Sequence, residues 1–233
     1  MADAIFLCVF LLLKLIILST SERIIVMKYI NGFLILLLLY VSYLTARGVA
    51  NYNKTTERNK KNFWAKEVEA NSVRKADISN LDYIVIPTDE LPLAEAENLG
   101  CSSQVATLNK LSEKKIINLS SYTNTDLKLM YGPANLDTLS SYDNNYTELI
   151  RLLNKIGEIL MENNNINLAK PFLEYAISIG SDISNTYANL GSIYLAQNEQ
   201  NSFDGLLNSA ENLTSLSKSS IITKLNNIKS SDK

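Results

Sequence analysis

The residues whose types and spacing could do chemistry are few, and Ser112-Glu113-Lys114-Lys115 stands first among them, with a hydroxyl and an amine three residues apart. On a helix this spacing puts Ser112 and Lys115 one turn apart on one face, where the amine could take the proton of an attacking serine. A Ser/Lys hydrolase also needs apolar surroundings to lower the amine pKa, and the residues around Lys115 are mostly polar. The chain has no His, so it lacks both the usual general base near neutral pH and the commonest metal ligand. Its two cysteines, Cys8 in an apolar run and Cys101 in a polar stretch, form no CxxC pair, zinc spacing or disulfide framework. Asn98-Leu99-Gly100 before Cys101 has the form of a lipoprotein cleavage box, but no apolar stretch precedes it. The expectation is a non-enzymatic protein with no catalytic residue, cofactor or metal.

The elements that would position any site begin with a membrane anchor. Residues 33–39 read FLILLLL inside an apolar window at 24–46. As a helix those roughly 23 residues reach about 34 Å, enough to cross a hydrocarbon core of about 30 Å. Tyr29, Tyr40 and Tyr43 suit the aromatic belt, and Lys28 can snorkel to the interface. The preceding run at 4–18, AIFLCVFLLLKLIIL, reaches only about 22 Å and carries Lys14. Two readings fit it: a helical hairpin turned at residues 19–23, or an extension ahead of a true start at Met27. A cleaved signal peptide needs a basic leading region that Met1-Ala2-Asp3 lacks.

Arg47, Lys54, Arg58, Lys60, Lys61 and Lys66 follow the span, opposed only by Glu57 and Glu67. The positive-inside rule places that flank and the C-terminal domain in the cytoplasm. The plain reading of the cluster is a charged linker helix; contact with anionic headgroups, anchored by Trp64, is the alternative. Over the whole chain, 22 Lys and Arg face 24 Asp and Glu for a net charge of −2, so no basic field exists to gather nucleic acid. Richness in Asn, Lys and Ile points to an AT-rich, low-GC bacterial genome, and hence to a bacterial plasma membrane. Four Asn-x-Ser/Thr triplets, at Asn53, Asn118, Asn145 and Asn212, are chance products of that composition in a cytoplasmic domain.

Beyond the anchor, residues 58–78 lack Gly and Pro and read as a stalk helix whose thin apolar face is Phe63, Trp64, Val68 and Val73. Residues 83–86 read as a short strand closed by Pro87, with 116–119 as its only partner. Between them Val105, Leu108 and Leu111 mark a short helix. Another is expected at 126–131, capped by Asn124 or Thr125 and stopped by Gly132-Pro133.

From Tyr142 onward a repeat takes over. Leu149, Leu152, Leu153, Ile156 and Leu160 form one helical stripe, with Asp143 as the candidate cap. Leu168, Phe172, Leu173, Ala176 and Ile177 form a second stripe, ended by Gly180. A second pair of helices follows at 184–197 and 202–213. Overlaid at a shift of 34 residues, Gly157 falls on Gly191, Leu153 on Tyr187, Ile156 on Leu190, Leu160 on Tyr194, Leu173 on Leu207 and Ala176 on Ala210. One slot breaks the pattern, Ala169 on Phe203.

The segment YANLGSIYLAQNEQ closely resembles the first helix of a tetratricopeptide repeat, with Leu190-Gly191 and Tyr194 matching that family's leucine-glycine-x-x-tyrosine core. The resemblance covers about residues 142–216. The front aromatic slot is Leu153 in one copy and Tyr187 in the other, and the family's proline after the second helix is absent from both. It implies a mainly α fold: an N-terminal transmembrane helix or helical hairpin, then a soluble domain ending in antiparallel tetratricopeptide-like helix pairs, a short αα superhelix. Two pairs leave apolar faces uncovered at both ends, so Ile221, Ile222, Leu225 and Ile228 are expected to form a C-terminal capping helix with Lys218, Lys224, Asn226 and Lys229 in solvent. The division expected is residues 1–50 membrane anchor, 51–80 basic juxtamembrane stalk, 81–141 a small mixed linking block and 142–233 the repeat domain.

The resemblance also implies that the first helices line a groove, faced by Arg151, Asn154 and Glu158, then by Asn185, Ala188 and Ser192. Members that grip a terminal carboxylate use a Lys/Arg/Asn cluster there, and here only Arg151 and two asparagines fit. The expected function is a membrane-anchored scaffold or adaptor that holds a protein partner, among them other membrane proteins, in a weakly charged groove beside the lipid bilayer. A structural accessory subunit of a cell-envelope complex is the other non-enzymatic reading.

Overall fold

The computed structural model describes residues 20–231 and divides them into two units meeting at Ala65 and Lys66. The first unit is a single helical stretch. Helix α1, Thr20–Ser72, begins there, and its residues from Met27 to Ala65 are exposed almost without exception. It is long and apolar enough to cross a membrane, and none of its most apolar window is buried. Residues 20–23 are already helical, which removes the hairpin turn expected at 19–23. The run at 4–18, with Cys8, lies outside the described residues. Phe63 and Trp64 pack edge to face at 5.5 Å, both exposed.

Helix is the only regular structure in the second unit's described residues, with no strand among them. The stalk ends at Ser72, six residues before the expected end, and the chain then runs without regular structure, through a turn at 79–80, to Pro87. Single helical turns at Leu93–Ala96 and Glu97–Cys101 kink at Gly100, whose φ of +91° favours glycine, and lead into α2, Ser102–Ser112. Val105, Leu108 and Leu111 are buried from α2, as their spacing predicts. Cys101, despite its polar flanks, is buried in the same core.

The strand pairing is replaced by one backbone bond. Ile84 N–H donates to the Ile116 carbonyl at 2.9 Å, and the two segments run no further ladder. Ile117 and Leu119 turn into a small second core with Leu127 and Leu139, which holds this chain segment without sheet pairing.

Helix α3, Asn124–Tyr131, is capped one residue before the two expected candidates. Thr123 accepts from the Asp126 amide, and the Asp126 carboxylate accepts from the Thr123 amide, a reciprocal capping box. Gly132, at φ +81°, ends it, and its missing Cβ would fall 2.5 Å from the Arg74 carbonyl oxygen. A turn at Pro133–Asn135 leads directly into α4, Leu136–Glu162. The long helix therefore starts well before Asp143. That residue is mid-helix, and its carboxylate accepts from the Leu119 amide at 2.8 Å instead of capping.

The main core joins α4 to α5 (Ile166–Ser178), α6 (Ser184–Ala196), α7 (Gln200–Glu211) and α8 (Lys218–Ser231). Each helix packs on its neighbour in sequence; α6 also meets α4, and α8 also lies against α6. Leu149, Leu153, Ile156 and Leu160 are buried, as are Phe172, Leu173 and Ala176. Side chains of this size contribute roughly 1.5–3 kcal/mol each when fully buried. Gly180, at φ +88°, closes α5 and lets the chain reverse into α6.

Candidate functional site

The six expected groove residues lie on α4 and α6. Each of these helices is held close to its other neighbours at a glycine. A Cβ on Gly157 would fall 2.5 Å from Leu173 Cδ2 of α5, and one on Gly191 would fall 2.8 Å from Leu225 Cδ2 of α8 and 3.2 Å from the Phe203 ring of α7. Both glycine faces are filled by neighbouring side chains, but by different slots. In the first pair Ala169 leaves room that Leu173 fills. In the second, Phe203 and Leu225 fill it, and Leu207 is only partly buried. The broken slot of the 34-residue overlay is thus where the two pairs differ in packing.

On the polar face, the Asn154 amide donates to Glu158 Oε1 at 2.9 Å, and Asn185 reaches the same oxygen at 3.4 Å. Thr186 donates its hydroxyl to Asn154 Oδ1 at 3.0 Å. From α8, Lys224 donates to Asn185 Oδ1 at 3.0 Å, and Lys155 stands 3.7 Å from the other Glu158 oxygen. Asn154, Glu158 and Asn185 are therefore the centre of a hydrogen-bonded row across α4, α6 and α8. Ser192 donates to the Ala188 carbonyl at 3.0 Å inside its own helix, and both residues are partly exposed. Arg151 stands apart from the row; it is exposed and makes no ion pair or hydrogen bond among the described residues.

Two members of the row are not among the expected groove residues. Thr186 is fully buried at a position that the overlay matches to Leu152, so an apolar residue is expected there. Its neighbour in the row, Lys224, belongs to the expected solvated face of the last helix. All three lysines of that face bind earlier elements: Lys218 donates to the Glu211 carbonyl, and Lys229 pairs with Asp204 at 3.0 Å over the Phe203 ring. Long stems cover apolar surface while their ammonium groups find acceptors.

A second charged cluster spans α5, α6 and the turn after α6. Lys170 donates to both Glu199 oxygens, at 2.6 and 2.8 Å, and lies 5.2 Å from the Tyr194 ring. The Lys170 bond holds the Glu199 carboxyl below its ordinary range. Tyr194, the aromatic of the leucine-glycine-x-x-tyrosine segment, donates to Glu174 at 2.9 Å; burial first, then that carboxylate, push its phenol up.

The Ser112 and Lys115 pair is not presented as a helical one. Helix α2 ends at Ser112, so Lys115 falls beyond it, after the turn at Glu113. The Ser112 hydroxyl donates to the Asn109 carbonyl at 2.7 Å, and the Lys115 ammonium sits 4.5 Å from the Tyr83 ring centre. Among the described residues no group of three acidic or cysteine side chains could hold a metal ion.

At the other end of the unit, the last residues of α1 are clasped by α3. Lys66 pairs with Asp126 at 2.7 Å, and Glu67 accepts from Lys128 at 2.9 Å and from the Thr125 hydroxyl. Lys66, counted with the basic flank, is thereby paired. No protein-family model matches the chain, and neither a curated protein nor a solved structure is detectably similar to it.

Proposed function

We propose that the chain is a membrane-anchored scaffold, with α1 as its span and a cytoplasmic repeat domain of tetratricopeptide type that holds a protein partner. The observation carrying this reading is the face shared by α4, α6 and α8. Asn154, Glu158, Asn185 and Lys224 are cross-bonded there, while Ala188 and Ser192 stay partly exposed beside them. A row whose polar groups already satisfy one another keeps its shape without a ligand, so a partner does not bear the cost of ordering it. The small side chains at 188 and 192 leave room for an incoming helix or extended segment. In this reading α8 covers the apolar face of the second pair and the block at 81–141 covers the first. The basic flank of α1 sets the orientation.

The test is photo-crosslinking in the native membrane. A photoreactive amino acid at Ala188 or Ser192 should yield the same discrete protein adduct, and one at Asn208, on the exposed side of α7, should not. Deleting residues 142–233 should abolish capture of that partner by the detergent-solubilised chain. No adduct from either groove position, or capture undiminished by the deletion, overturns the groove as the binding surface.

A further inference from the structure

A cleft of about 380 Å³ opens where the first half of α4 meets the turn around Ser120, the α5–α6 turn and the α7–α8 turn. Its volume is that of a small-ligand site. Asp143 and Arg151 line it from the same helix, eight residues apart, which is about 12 Å of helix rise. Asp182 lines it from the α5–α6 turn, two residues after Gly180, where a Cβ would fall 3.7 Å from the Tyr146 hydroxyl. Asp143, whose carboxylate accepts from the Leu119 amide, lies one turn before Tyr146 on α4, so both carboxylates belong to the end of the cleft away from Arg151. Arg151 and Asp182 make no ion pair among the described residues. Ser215 Oγ, also in the lining, is buried without a hydrogen-bond partner among them.

Two carboxylates at one end and one guanidinium at the other, none of them in an ion pair among the described residues, describe a site suited to a ligand of complementary charge. A single amino acid separates its charges by only a few ångströms, too little for this arrangement. An extended chain advances 3.3–3.6 Å per residue, so three to four residues match the separation. We propose that this cleft binds an extended peptide segment carrying a Lys or Arg side chain and an acidic one three to four residues apart. The cation lies against Asp143 and Asp182, and the acid against Arg151. The site shares only Arg151 with the groove, so either can fail without the other.

The test uses the full chain in detergent micelles and two dye-labelled, end-blocked pentapeptides, Lys-Thr-Val-Thr-Glu and its reverse, read by fluorescence anisotropy. One of them should bind at least tenfold tighter than the version with Gln at both ends. Asp182→Asn and Arg151→Gln should each weaken it about tenfold, and Arg151→Gln should also remove the preference for Glu over Gln at the acidic end. Melting curves report whether the variants stay folded, and the peptide comparison on the unaltered chain decides the matter if they do not. Equal binding of charged and neutral peptides, no binding at millimolar concentration, or equally tight competition by free lysine overturns the proposal.

Discussion

Leu173 and Gly157 fit together so closely that a single added methyl has nowhere to go: a Cβ on the glycine would lie 2.5 Å from one Leu173 methyl and 2.8 Å from its Cγ. Leu173 is itself fully buried, so it cannot swing into solvent to make room. Gly157→Ala is expected to destabilise the unit by about 1–2 kcal/mol, overpacking outweighing the helix-propensity gain of about 1 kcal/mol. Gly205→Ala is the contrasting case. Its Cβ would meet nothing within 4 Å, and the residue is exposed within α7, so it should stabilise by about 0.5–1 kcal/mol. Thermal unfolding followed by circular dichroism checks both, and a destabilising Gly205→Ala would contradict this account.

Asp126 couples the capping of α3 to the end of α1, and the coupling depends on pH. Its bond to Lys66, then those to Thr123, hold the carboxyl down at about 2. Because the folded value lies below the ordinary 3.8, the stabilisation is fully present above about pH 4 and is lost as pH falls through 2. Lys66→Gln should raise the Asp126 midpoint in an NMR titration, and an unchanged midpoint would remove Lys66 as the principal cause. Thr123→Ala, which breaks the capping box, should cost about 1 kcal/mol at neutral pH.

Asn135 bears the load between the non-helical segment after α1 and the start of α4. Buried almost completely, it donates to the Ala76 carbonyl at 2.8 Å and to the Tyr131 carbonyl at 2.7 Å. Asn135→Leu removes both donated bonds, leaving the Ala76 carbonyl without its donor and the Tyr131 carbonyl with only the Ala76 amide, at a cost of roughly 1–3 kcal/mol. Hydrogen exchange should quicken first at Ala76, whose amide donates to the Tyr131 carbonyl at 3.0 Å, before the core amides of α5 and α6 respond. Uniform quickening would mean that Asn135 acts on global stability alone.

The parts of this fold that sequence discloses are those fixed by periodicity. Leu149 to Leu160, Phe172 to Ala176, Val105 to Leu111 and Ile221 with Leu225 all announce their buried faces by spacing. The start of α4 is less visible, because Leu136, Leu139 and Tyr142 are interleaved with Ser, Asp and Thr, and Asp143 sits where a cap is plausible on composition. Residues 83–86 have strand composition, yet Tyr83 and Ile84 go to different cores, so no ladder develops. The site was legible in part. Asn154, Glu158 and Asn185 do meet, but Thr186 and Lys224 join them through tertiary packing that a 34-residue overlay does not encode.

Sidedness is the prediction on which the functional proposal depends most directly. Arg47, Lys54, Arg58, Lys60 and Lys61 all follow the apolar window on α1, are exposed, and have no ion-pair partner among the described residues, so their charge is available to set topology. Protease added to intact cells or spheroplasts should therefore spare the C-terminal unit, and detergent should expose it. A cut in the non-helical segment 73–87 gives the most informative fragment, since it separates α1 from the rest of the unit. Replacing Arg47, Lys54 and Arg58 by Gln should raise the digested fraction in intact cells, because a weaker positive flank retains the domain less strictly. Rapid digestion of the unaltered chain in intact cells would place the C-terminal unit outside the cytoplasm and end the cytoplasmic scaffold reading, while leaving its helix packing untouched.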